Sequence, residues 1–100
     1  MLSSVVKLTN WYRSQPLASG SSPGGSRVRI ETLDNPGWLI KIQLAGTGLE
    51  KRPFAAVGIE RAEDDWISCA VKDSVFTAAG GPNNLEELLT TFFQFAEIPE

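Results

Sequence analysis

Three places in the chain have the residue types and spacing to do chemistry. They are Cys69, the acidic run Glu63-Asp64-Asp65 with Glu60 just ahead of it, and Gly80-Gly81-Pro82-Asn83-Asn84. Cys69 is the only cysteine, and there is no histidine among the 100 residues. Without histidine the chain cannot build a Ser-His-Asp triad, an HExxH zinc site or a Cys-His nucleophile pair. A reactive thiol needs a helix N-terminus or a cationic neighbour to hold it as thiolate. Cys69 instead alternates with apolar residues and reads as a small buried hydrophobe. The acidic run has no EF-hand spacing, so it reads as a solvated turn or, beside Trp66, as an acidic contact patch. The glycine-rich stretch precedes a helical pattern, where backbone amides can take an anion. It lacks both the lysine of a phosphate loop and the spacing of a dinucleotide fingerprint, so it reads as a strand-to-helix turn. No catalytic residue, metal ligand set or cofactor is therefore expected.

Composition bounds the class and names no function. The chain is 42 % hydrophobic and 21 % charged, ordinary values for one globular domain over 1–100. No apolar run approaches the roughly 18 residues of a membrane span. A lone cysteine fits a reducing cytoplasm, and the first residues carry no secretory-signal pattern. The net charge of −3 is unevenly spread. Residues 1–49 hold five basic and two acidic side chains, a net +3, whereas residues 50–100 hold four basic and ten acidic, a net −6. An acidic half disfavours nucleic acid, and it either favours a basic protein partner or merely keeps a small domain soluble. The oligomeric state is left open by the sequence.

The elements that must position these residues follow from periodicity. Leu2, Val5, Val6 and Trp11-Tyr12 recur at near-helical spacing, predicting a helix over 2–14 whose aromatic end is pinned to a sheet. Residues 15–26 are rich in Gly, Ser and Pro and read as a flexible loop. Alternation from Arg27 to Leu44 predicts a hairpin around Asp34-Asn35-Pro36-Gly37, where Pro-Gly suggests a type II turn held by Asp34 or Asn35. Three further strands are expected near 57–61, 66–72 and 75–78. Their short connections suggest an antiparallel meander. Leu85, Leu88, Leu89, Phe92 and Ala96 form one apolar helical face, with Phe93 and Phe95 off it. Asn83 or Asn84 would cap this helix, with Glu86 or Glu87 completing a capping box. The expected fold is α+β: an N-terminal helix, an antiparallel sheet of about five strands in a meander, and a C-terminal helix packed on the sheet.

Three segments together resemble the bacterial immunity protein 53 family. They are Ile30-Glu31-Thr32-Leu33-Asp34-Asn35-Pro36-Gly37-Trp38, Glu63-Asp64-Asp65-Trp66-Ile67 and Gly80-Gly81-Pro82-Asn83-Asn84-Leu85-Glu86-Glu87, with Trp11-Tyr12 ahead of them. The resemblance implies an antidote from a polymorphic toxin locus. Such a protein binds a cognate toxin domain in the cytoplasm, in many cases a basic nuclease, and blocks it by stoichiometric occlusion rather than by turnover. On this reading the toxin-binding residues are Asp34, Asn35, Glu63, Asp64, Asp65 and Trp66. The chain departs from the family pattern at Leu17–Ser26. The family typically carries there an acidic stretch ending in Trp-Glu-His, and this loop has no acid, Trp or His. That departure points to an altered specificity or to an antidote that has lost its partner. Some family members carry a sulfurtransferase label. Cys69, followed by Ala-Val-Lys-Asp-Ser, lacks the Gly- and Arg-rich anion-cradling loop that such chemistry needs. The alternatives are a small enzyme acting through Cys69 and a non-toxin ligand-binding or assembly domain using a free sheet face.

Overall fold

A computed structural model describes residues 3–15 and 27–98. Helix α1 spans Ser4–Ser14, and strands β1 to β5 span Val28–Leu33, Gly37–Gln43, Val57–Ala62, Asp65–Lys72 and Val75–Gly80. Helix α2 spans Leu85–Ala96. The α+β class, the five antiparallel strands and the two flanking helices match the sequence expectation. Most of the Gly/Ser/Pro loop, residues 16–26, lies outside the described residues, as do Leu2 and Pro99.

The strand order is β1-β2-β5-β4-β3, and every neighbouring pair is antiparallel. This corrects the expected meander. Strands β3, β4 and β5 do run as a meander, but β5 returns to lie against β2, so β2 to β5 form a Greek key. The cause lies in the connection 44–56, which reads in sequence as glycine turns and charged residues. Leu44 and Leu49 in it are buried, and the ring of Phe54 stands edge-on to Phe76 and Phe95 at 5.4 and 5.1 Å. An apolar connection of this kind is held against the end of the sheet, so it carries the chain past β5 and β4 to the far edge.

Directly opposed residues of an antiparallel ladder point to one face. The register therefore puts Ile40, Ile42, Phe76, Ala78, Ile67 and Cys69 together beneath α2, and all six are buried. Helix α2 packs over β2, β4 and β5, and α1 packs on α2. Trp11 meets Phe92 edge-on at 5.0 Å, so its anchor is α2 rather than the sheet. Tyr12 is not pinned at all and is 53 % exposed. Phe93 and Phe95, off the main apolar face, are both buried. The opposite sheet face is open. It presents small and polar residues such as Ser68 and Ala70, with Trp66 half-buried near one end.

Two further details differ from expectation. Gly37 does not adopt a positive φ, so Pro36-Gly37 is not a type II turn. Gly37 is instead the first residue of β2, paired with Leu33, and the turn is Asp34-Asn35-Pro36. Glycine is required there because a Cβ would stand 2.5 Å from the carbonyl oxygen of Gly80 on the next strand. Neither Asp34 nor Asn35 forms a side-chain hydrogen bond that holds the turn.

Candidate functional site

The three sequence segments singled out above meet at one end of the sheet. In the ladders, Trp38 near the start of β2 and Ile67 near the start of β4 both oppose Gly80 at the end of β5. The β1–β2 turn, the β3–β4 turn and the β5–α2 loop therefore lie side by side. Two strand spacings, about 10 Å, separate the two hairpin turns, and the loop 81–84 sits between them.

This end is locked by close backbone approach. The amide of Gly81 donates to the carbonyl of Trp66 at 3.0 Å, and the indole Nε1 of Trp38 donates to the carbonyl of Pro82 at 3.1 Å. A Cβ on Gly81 would stand 2.3 Å from the carbonyl oxygen of Asp64 and 2.8 Å from Oδ1 of Asn84. Only glycine lets the β5–α2 loop lie this close to the β3–β4 turn.

Behind the turns lies an ionic network. Arg61 donates through Nε to Asp65 at 3.0 Å and through its terminal nitrogen to Glu87 at 2.5 Å. The side-chain amide of Asn84 donates to both carboxylates, at 2.9 and 3.0 Å. Asn84 does occupy the N-cap position of α2, but its side chain makes no capping hydrogen bond. Its amide nitrogen is taken by the two carboxylates, and its Oδ1 is buried without a partner. Glu87 likewise bonds Arg61 and Asn84 in place of a capping box. Hydrogen bonds from Arg61, then from Asn84, hold the carboxyls of Asp65 and Glu87 below the usual carboxylate range. The bonds to Asp65, then to Glu87, raise the pKa of Arg61 above its ordinary value.

Of the six residues expected to bind a partner, the structure brings Asp34, Asn35, Glu63 and Asp64 together as exposed turn tips. None of the three carboxylates among them has an ion pair among the described residues. Asp65 is half-buried and belongs to the network. Trp66 opposes Glu60 across the ladder and so faces the open side of the sheet. Sequence reasoning missed Arg61 and Glu87 as network members and misread the role of Asn84. The only signal for Arg61 was its four-residue spacing from Asp65 across the turn.

Three free carboxylates, Glu86 in the first turn of α2 and one excess negative charge from the network give this end five negative charges among the described residues. No cation here is left to offset them, because Arg61 is already engaged by two carboxylates. Cys69 lies in the core at 1 % exposure, and burial, with the charge of Glu87 adding to it, pushes its thiol up to about 11. It is protonated at neutral pH, which removes its nucleophilic form. Among the described residues, no group of three or more Cys, Asp or Glu is placed to hold a metal ion, and no helix is long and apolar enough to cross a membrane.

A family model described as Immunity protein 53 matches residues 5–97, from α1 through α2. The chain belongs to the immunity protein 53 family. No curated protein and no solved structure matches it. Membership makes the chain an immunity protein and implies a cognate toxin as its partner. The matched range takes in all three turns of the acidic end.

Proposed function

We propose that this immunity protein acts in the cytoplasm by capping a cognate toxin domain from a polymorphic toxin system. Inhibition is by stoichiometric occlusion, with no turnover. The contact surface is the acidic sheet end: Asp34 and Asn35 on one turn, Glu63 and Asp64 on the other, and Trp66 beside them as the apolar anchor. Asp65 supports the surface from behind through Arg61 and Asn84. The observation that carries this reading is the convergence of the three family segments into one end whose outermost carboxylates are unpaired. Free carboxylates on adjoining rigid turns suit a toxin face rich in Lys and Arg, such as the phosphate-binding surface of a nuclease. The buried, protonated Cys69 counts against the alternative of a sulfurtransferase.

The test is co-purification and cell rescue with the toxin domain encoded beside this gene, followed by charge reversal. Asp34→Lys with Glu63→Lys and Asp64→Lys should slow association about tenfold or more. Thermal stability should shift little, because surface substitutions away from special features stay within about 0.5 kcal/mol. An unchanged association rate would remove this end from the interface.

A further inference from the structure

The outer edge of β3 carries no strand among the described residues. Helix α2 does not reach over it: Ile59, on the helix side of the sheet, is 37 % exposed. Beside it runs an open groove of about 390 Å³ lined by Phe54, Val57, Thr91 and Phe95, among others. An exposed edge with apolar side chains is a template for another strand.

We infer that β3 pairs with β3 of a second copy of this chain, antiparallel and about a two-fold axis through Gly58, forming a continuous ten-stranded sheet. Three observations select this occupant and this register. First, the register opposes Val57 to the second copy's Ile59 and Ile59 to its Val57. Four apolar side chains are thereby closed together on the helix side, beside the groove. Second, the open side then carries Gly58 against Gly58 and Glu60 against Ala56, which crowd nothing. A register shifted to oppose Glu60 to Glu60 would place like charges face to face, an unfavourable arrangement. Third, the charges at the two ends of β3 are opposite. Lys51 and Arg52 precede the strand, and Glu63 and Asp64 follow it. Antiparallel pairing brings the basic end of each copy to the acidic end of the other, twice over by symmetry. Lys51, Glu63 and Asp64 have no ion pair among the described residues. The other free edge, β1, lacks this incentive: its Arg29 and Glu31 already pair with each other at 3.1 Å. Pairing stops at Glu60, ahead of the bulge between Glu60 and Ala62. This inference does not rest on toxin binding, and its test contains no toxin; in the dimer Glu63 and Asp64 face the second copy's Lys51, so a toxin and the second copy compete for the β3–β4 turn.

Sedimentation equilibrium of the full chain across the micromolar range should show the mass rising from 10.9 kDa toward twice that value. Lys51→Glu alone, and Glu63→Lys with Asp64→Lys alone, should each lose the dimer. An equimolar mixture of the two variants should regain it, because only the mixed pair restores opposite charges at both ends. Gly58→Cys gives an independent reading. A Cβ at Gly58 meets nothing within 4 Å, so the variant folds, and circular dichroism checks that it does. Residues opposed on an antiparallel axis have Cα atoms roughly 4.5–5.5 Å apart, within disulfide range. Oxidised glutathione should therefore link Gly58→Cys chains into dimers, while Ile30→Cys on the β1 edge stays unlinked. A mass that stays at the monomer value, a charge-swapped mixture that does not recover, or preferential linking through Ile30→Cys would each overturn the pairing.

Discussion

Arg61 shows how one side chain ties the acidic end together: it joins the carboxylate of the β3–β4 hairpin to that of α2. Asp65 and Glu87 are more acidic in the folded chain than in the unfolded one. Such carboxylates contribute stability above their unfolded pKa, near pH 4. The contribution is lost as pH falls through the lower folded values. Thermal unfolding of the wild type and of Arg61→Met, followed from neutral pH downward, should therefore show a gap that closes below about pH 4. A gap independent of pH would leave Arg61 a packing role only. A second residue-scale feature lies at the other end of the sheet. The two-residue turn between β4 and β5 has φ of 53° at Asp73 and 63° at Ser74. Both are left-handed conformations that cost a residue with a Cβ about 1–2 kcal/mol. Ser74→Gly should raise the unfolding free energy by about 1 kcal/mol in urea titration, with the Leu44 amide bond to the residue-74 carbonyl kept.

At the scale of elements, the lock between the β5–α2 loop and the β3–β4 turn is made of contact distances. Gly81→Ala should cost about 1–3 kcal/mol, since the new methyl meets backbone that cannot yield cheaply. Gly58→Ala, with open space around it, should be close to neutral. The pair of unfolding titrations separates steric necessity from loss of a glycine as such. The same elements show what was legible in the sequence. Strand alternation placed Ile40, Ile42, Ile67 and Cys69 on the buried face, and apolar helical spacing placed Leu88 and Phe92 there. Periodicity states which side faces inward, so faces were readable. Strand order was not, because it depends on where the connection 44–56 lies. That segment has no period, only Leu44, Leu49 and Phe54 scattered among turn residues. Gly37 was misread because Pro-Gly fits a type II turn locally, whereas the contact that demands glycine comes from Gly80, distant in sequence. The acidic turn tips were visible as composition. The Arg61–Asp65–Asn84–Glu87 network was not, since it joins three elements.

Across the whole molecule, charge is polarised along the strands. The acidic end carries five excess negative charges among the described residues. The opposite end holds Arg27, Lys51, Arg52 and Lys72 against Glu50, Asp73 and Glu97, one excess positive charge. Helix α2 starts at the acidic end and finishes at the other, where Arg52 pairs with Glu97 at 3.2 Å. A basic toxin should be drawn to the acidic end first, so its association rate should fall steeply as salt is added, with the dissociation rate little changed. Stopped-flow mixing over a salt series measures both; a salt-independent association rate would show that steering has no part. The spacing of the lock behind the tips has an evolutionary reading. Gly37, Gly80, Gly81, Asn84 and Arg61 do the structural work behind the turn tips, while the side chains of Asp34, Asn35, Glu63 and Asp64 form no hydrogen bond or ion pair among the described residues. If the tips are the contact surface, as proposed, mutations at these four positions would rewrite which toxin is recognised without eroding the scaffold, so an arms race with a changing toxin would run at the tips while the protein beneath them stays folded.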